Sequence, residues 1–313
     1  MTICVATMSL LKAADQNVGW VIVGASDRMI TAGDTQFEPP QTKITQLTNS
    51  IVVMTAGDTA TQTEILYQIQ ADVTKRIISD PTNWWPVKDV AELYVRYYKE
   101  TKLKRAENAI LAPLGLDRVS FLARQAQMAD HLVTDLAKEL INFDDLDVEA
   151  IVTGIDPTGP HIYVVEDGYL SCEDTAGFAA IGVGYWHANS ELMAQGYTKF
   201  RQLPEAIFLT LAAKKRAEFA PGVGKLTDMF SIGPLIGSFM HMAPGVLEQF
   251  ERLYGDTQKA ITDGMKTAME KLNVGFAQAT KEAAAKVQTA EGKDISGGRP
   301  PEAETAKEEE PKG

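Results

Sequence analysis

Thr2-Ile3-Cys4-Val5-Ala6-Thr7-Met8 alternates with the two-residue period of a strand and opens directly behind Met1. Removal of that one methionine would leave a free α-amine on the same residue that carries the Thr2 hydroxyl. A threonine hydroxyl attacks carbonyls poorly until a base takes its proton, and an α-amine of pKa about 7.7–8.0 can be that base. Nucleophile and base would then sit on one residue, with no histidine required.

Working outward, Val18–Ala25 is a nearly continuous apolar run behind the polar turn Ala13-Ala14-Asp15-Gln16-Asn17. Lys43–Leu47 and Ile51–Ala56 read as two more short strands, separated by Thr48-Asn49-Ser50. Gly57-Asp58-Thr59 leads into a helix over Ala60–Ser79, one face of which is marked by Ile65, Leu66, Ile69, Val73, Ile77 and Ile78. Further helices are expected over Val87–Lys104 and over Asp117–Asn142, the latter free of internal Gly and Pro. A second block of strands follows at Glu149–Ile155, His161–Glu166, Leu170–Asp174 and Phe178–Gly182. The turn signals Pro157-Thr158-Gly159-Pro160 and Asp167-Gly168 divide it. Helices near Ser190–Phe200 and Pro204–Phe219 come next, and Pro204 suits a first helical turn. Blocks of strands alternating with blocks of helices predict an α+β fold: two antiparallel sheets face to face, with helices on both outer faces.

Composition narrows the function. The chain has 313 residues, 45% hydrophobic and 23% charged, enough to bury a sizeable core. Its net charge of −12 argues against nucleic acid and anionic membrane surfaces as partners. Cys4, Cys172 and the four histidines follow no metal-ligand spacing, so neither metal nor cofactor is signalled. The start lacks the basic and apolar regions of a signal peptide, which points to a reducing, cytoplasmic setting. Met229–Leu247 carries no charge, but Gly233, Pro234, Gly237, Pro244 and Gly245 break it into two buried strands and a turn rather than a membrane span. The domain reading is a body over 1–243 with an extra helical segment near 105–142. An amphipathic helical extension over 244–290 follows, its stripe interrupted at Gly255, Gly264 and Gly275. The acidic Gly-Pro-Glu-Lys tail over 291–313 is expected to be disordered.

Four segments then stand in a telling order: Thr2 at the start, Ala25-Ser26-Asp27-Arg28-Met29-Ile30-Thr31 at the end of the second strand, Lys43-Ile44, and Met54-Thr55-Ala56-Gly57-Asp58 at a strand-to-helix junction. In order and spacing they resemble the proteasome β-subunit family of N-terminal nucleophile hydrolases. The Met-Thr-x-Cys-Val opening looks like the bacterial proteasome-like branch called Anbu. Gly154-Ile155-Asp156-Pro157-Thr158-Gly159-Pro160-His161-Ile162-Tyr163, Asp167-Gly168 and Ala180-Ile181-Gly182-Val183-Gly184 resemble the paired strands and glycine turn of its second half. The resemblance runs from about Thr2 to Met240 and implies a four-layer αββα sandwich. It also implies a threonine peptidase acting on peptide or amide substrates, and self-assembly into a homo-oligomeric ring or helical stack.

Carried over by position, Thr2 matches the nucleophile, Asp27 the acid, Lys43 the lysine beside the nucleophile and Gly57 the oxyanion-hole glycine. Thr31 matches a residue that bonds the substrate backbone, and Thr55 and Thr59 match positions lining the specificity pocket. The chemistry is coherent in its own right. An ammonium about 4 Å from the hydroxyl oxygen favours its alkoxide by about 4 kcal/mol at an effective dielectric near 20. Three positions depart from the family pattern: Val183 stands where a serine supports the amine, and Ala217 and Ala220 stand where Asp and Ser orient it. Two other readings therefore stay open, an inactive structural subunit of an assembly and a small-molecule amidase.

Overall fold

Strands β1 (Cys4–Ala13) and β2 (Gln16–Asp27) form the longest antiparallel pair, followed by the short pair β3 (Ile30–Ala32) and β4 (Thr35–Phe37) and by β5 (Ile44–Gln46) and β6 (Ile51–Gly57). Helices α1 (Thr59–Ser79), α2 (Val87–Ala106), α3 (Arg118–Arg124) and α4 (Asp130–Ile141) come next. The second strand block is β7 (Val148–Asp156), β8 (Gly159–Glu166), β9 (Tyr169–Cys172) and β10 (Phe178–Ile181). Helices α5 (Tyr185–Ala194) and α6 (Leu203–Ala217), strands β11 (Thr227–Ile232) and β12 (Phe239–His241), and helix α7 (Pro244–Glu291) complete the order. This computed structural model describes residues 2–13, 16–32, 35–81, 84–144 and 146–291. The turn residues Ala14 and Asp15, and the tail from 292, lie outside them.

The protein is α+β. Two five-stranded antiparallel sheets run β10-β1-β2-β11-β12 and β5-β6-β7-β8-β9. The strand period sorts side chains between cores. Ile3 and Val5 join a cluster with Ala188 and Leu192 of α5 and Leu211 and Ala213 of α6. Cys4, Ala6 and Met8 face the other way and share a core with Val52, Met54 and Ala56 of β6, Ile151 of β7 and Ile162 of β8. Ile51 and Val53 in turn pack with Ile65 and Ile69 of α1 and Val90 and Tyr94 of α2. Both faces of β1 and β6 are buried; β6 accordingly reads as a nearly continuous apolar run, whereas β1 also encloses Thr7 and Ser9, whose hydroxyls bond Thr210 Oγ1 at 2.7 Å and the Val21 carbonyl at 3.0 Å. Each buried Ile or Met contributes roughly 1.5–3 kcal/mol.

Several elements depart from the sequence expectation. The single helix expected over Asp117–Asn142 is split, because Met128 is extended (φ −104, ψ 157). That break lets Phe121 of α3 and Leu136 of α4 close on Leu111 in one small core. The helix expected near Ser190–Phe200 begins at Tyr185 and stops at Ala194. Gly196, at φ 58, provides the left-handed stop, with Tyr197 N–H bonded back to the Leu192 carbonyl at 2.9 Å. Strands β3 and β4 were not expected from the sequence: β4 is exposed at all three residues, so it has no buried face to give it an apolar pattern. In the uncharged stretch only β11 is buried, while Met240 and His241 of β12 are exposed. Gly255, Gly264 and Gly275 do not interrupt α7, which runs for 48 residues. Each glycine costs a helix only about 1 kcal/mol, and the Ala, Lys, Glu, Gln and Met around them are good helix formers. The chain forms one compact unit reaching to Tyr254 and a second from Gly255 on.

Candidate active site

Thr2 enters the first sheet between β10 and β2 and is 1% exposed. Its carbonyl accepts a hydrogen bond from Gly184 N–H at 3.3 Å. Gly182, at φ 89, lies so close that a Cβ there would strike the Thr2 carbonyl, so the glycine turn and the start of the chain are fitted to one another. The Thr2 hydroxyl donates to Asp27 Oδ1 and accepts from Lys43 Nζ.

Asp27 ends β2 and is fully buried. Its Oδ1 also accepts from Lys43 Nζ at 2.8 Å and Ile3 N–H at 3.2 Å, while Oδ2 accepts from Gly224 N–H at 2.8 Å and Met29 N–H at 3.3 Å. One ammonium, three backbone amides and a hydroxyl thus converge on this buried carboxylate and fix its orientation. Arg28 takes no part in this cluster. It forms a two-pronged pair with Asp228 of β11 at 2.8 and 2.5 Å.

In front of the Thr2 hydroxyl lies a cavity of about 160 Å³. Its wall includes Thr2, Thr31, Lys43, Thr55, Gly57 and Thr59, so six of the seven residues singled out from the sequence meet there. The seventh, Asp27, sits behind Thr2 and Lys43. Gly57 adopts φ 101, and a Cβ on it would run into the Asp147 carbonyl. The backbone therefore requires glycine here. Asp58 then caps α1, accepting from Ala60 N–H at 3.3 Å and Thr61 N–H at 3.0 Å. That abrupt strand-to-helix turn brings Thr59 and, one turn on, Gln62 and Thr63 to the cavity wall. Thr31 Oγ1 is buried there and has no partner among the described residues.

Other supports lay beyond the reach of the sequence. Lys214 of α6 is fully buried, and its ammonium bonds Glu218 Oε1 at 2.6 Å and the Gly224 and Lys225 carbonyls at 3.0 Å each. It thereby fixes the loop whose Gly224 N–H reaches Asp27. Burial pulls the Lys214 pKa down, and the hydrogen bond to Glu218 opposes that pull. Glu218 is thus committed to Lys214 and Lys215. Ala217 and Ala220 pack in the apolar cluster of α5 and α6, and Val183 is exposed.

Glu149 of β7 accepts from Gly182 N–H at 2.7 Å, buttressing the turn beneath Thr2. Burial raises its pKa, and the Gly182 hydrogen bond only partly offsets this. An acid with a raised folded-state pKa binds its proton more tightly when folded, so stability is greatest in acid and is lost as pH rises through that pKa. Glu149→Gln keeps an acceptor for Gly182 and removes the titration. Urea denaturation should find the variant level with wild type below the glutamate range and more stable near neutrality.

Among the described residues, no cluster of His, Cys, Asp and Glu is arranged to hold a metal ion, and no helix is long and apolar enough to cross a membrane. A scan against models of known protein families finds no match to this sequence, and a search of curated proteins finds no significant match either.

Proposed function

We propose that the chain is an N-terminal threonine hydrolase of peptide or amide bonds, built on the four-layer αββα sandwich of the proteasome-like nucleophile enzymes. One observation carries this reading: the Thr2 hydroxyl lies between the Lys43 ammonium and the Asp27 carboxylate at a cavity wall. After loss of Met1, the Thr2 amine takes the hydroxyl proton and Oγ1 bonds to the substrate carbonyl carbon. The carbonyl electron pair moves onto oxygen, where the Gly57 N–H is assigned the stabilising role. Loss of such a donor typically costs about 2.7–4 kcal/mol. The C–N bond then breaks, and the departing nitrogen takes the proton from the Thr2 ammonium. Water, deprotonated by the same amine, attacks the resulting ester and returns Oγ1 with its proton. Lys43 supports the alkoxide and Asp27 orients Lys43.

By the same resemblance the enzyme works as a homo-oligomer, a ring or a helical stack. Its two cysteines are free thiols, which suits a reducing, cytoplasmic setting. A second reading, a subunit that assembles without catalysis, is favoured by the apolar surroundings of Ala217 and Ala220.

Intact mass and reaction with a threonine-directed epoxyketone separate the two. A hydrolase should lack Met1 and gain one inhibitor per chain, with Thr2→Ala gaining none. Assembled wild type that stays unmodified would establish the scaffold instead.

A further inference from the structure

Gln62 lies one turn into α1, 6% exposed, on the wall of the cavity beside Thr2. Its Nε2 is buried and has no hydrogen-bond partner among the described residues. An unpaired buried amide is unfavourable, and a group that satisfies it binds more tightly than one that does not. The rest of the wall is neutral in effect. Thr45, Thr55, Thr59 and Thr63 contribute short side chains, and Ala56 and Leu66 contribute apolar surface. Among the described residues of the wall, the two cations are already engaged, Lys43 by Asp27 and Arg28 by Asp228, and none is a carboxylate.

We infer that this cavity selects an uncharged carboxamide side chain, glutamine or asparagine, on the residue preceding the bond to be cut, with Gln62 as the specificity-determining residue. This rests on the threonine-hydrolase reading and adds the substrate class to it. A carboxamide has a donor and an acceptor, as Gln62 has, so the two pair whichever way either amide is turned. Among the described residues an acidic side chain finds no free cation and a basic one no carboxylate, so each would be desolvated without compensation there. Size agrees as well. A cavity of ~150 Å³ can hold a benzene ring, and a glutamine side chain has fewer heavy atoms than that ring.

The test uses the full chain, with blocked fluorogenic tetrapeptides that differ only in carrying Gln, Leu, Glu or Lys before the cleaved amide. Wild type should turn over the Gln peptide roughly tenfold faster than the Leu peptide, and faster still than the charged pair. Gln62→Leu should reverse the Gln-to-Leu preference. It should also raise Tm, because it removes the unpaired amide. In parallel, acetylated peptides ending in glutaminamide or leucinamide are titrated into Thr2→Ala, where binding needs no chemistry, and the first should bind about tenfold more tightly. Turnover without side-chain preference, or a preference unchanged in Gln62→Leu, overturns the pocket assignment and leaves the hydrolase standing. Selective binding of glutaminamide by a chain that cleaves nothing does the reverse. Equal binding of the two amides overturns the inference outright.

Discussion

Lys43→Met should abolish most epoxyketone labelling of Thr2, slowing it by about a thousandfold. The figure comes from the charge it removes. A unit cation about 4 Å from a forming alkoxide contributes about 4 kcal/mol at an effective dielectric near 20, and about 1.36 kcal/mol is a factor of ten in rate. The same change strands Asp27, which is fully buried and has Lys43 as its ion-pair partner. Stability should therefore fall by about 3 kcal/mol. The paired variant Lys43→Met/Asp27→Asn separates these effects: it removes both charges, so it should recover much of the stability and none of the labelling. Labelling kinetics beside urea denaturation measure the two quantities independently. A single variant that labels within tenfold of wild type would show that Lys43 does not stabilise the alkoxide.

Lys214→Ala is the second large effect, this time on folding. The side chain is wholly enclosed, and it bonds Glu218 Oε1 and the Gly224 and Lys225 carbonyls. Truncation leaves a cavity and two carbonyls without this donor, a loss of about 3–5 kcal/mol by analogy with other buried pairs and core truncations. Lys214→Met should restore the packing share of that loss, because its unbranched stem fills similar space. It cannot hold the loop, so the Gly224 N–H bond to Asp27 at 2.8 Å loses its anchor and labelling of Thr2 should stay slow. Equal labelling in Lys214→Met and wild type would restrict Lys214 to a structural part.

The sandwiched strands were legible because burial of both faces left little ambiguity in their patterns. Val52, Met54 and Ala56 face one core, and Ile51 and Val53 face another. The candidate site was legible for a different reason. Asp27, Lys43 and Gly57 all sit at or beside strand ends, in the short motifs on which the family resemblance rests, and it is that resemblance that singled them out. Nothing local distinguishes Lys214 from the neighbouring Lys215 and Arg216 in the last turn of α6. Its importance comes from a loop ten residues on that turns back toward Asp27, 197 positions earlier in the chain. Glu149 and Gln62 were hidden likewise, one in a strand and one in a helix, each an ordinary polar residue until folding encloses it. The break between α3 and α4 has no Gly or Pro to announce it; it accompanies the packing of Phe121 and Leu136 with Leu111, a contact between segments that no local pattern shows.

The place of β1 within its sheet has a consequence for how the site fails. With β10 on one side and β2 on the other, the segment leading from Thr2 cannot peel away as a flap. Detaching it means tearing the sheet through its interior, an opening whose free energy approaches that of global unfolding. Displacement of Thr2 and collapse of the protein are thus expected as a single, all-or-none event on heating.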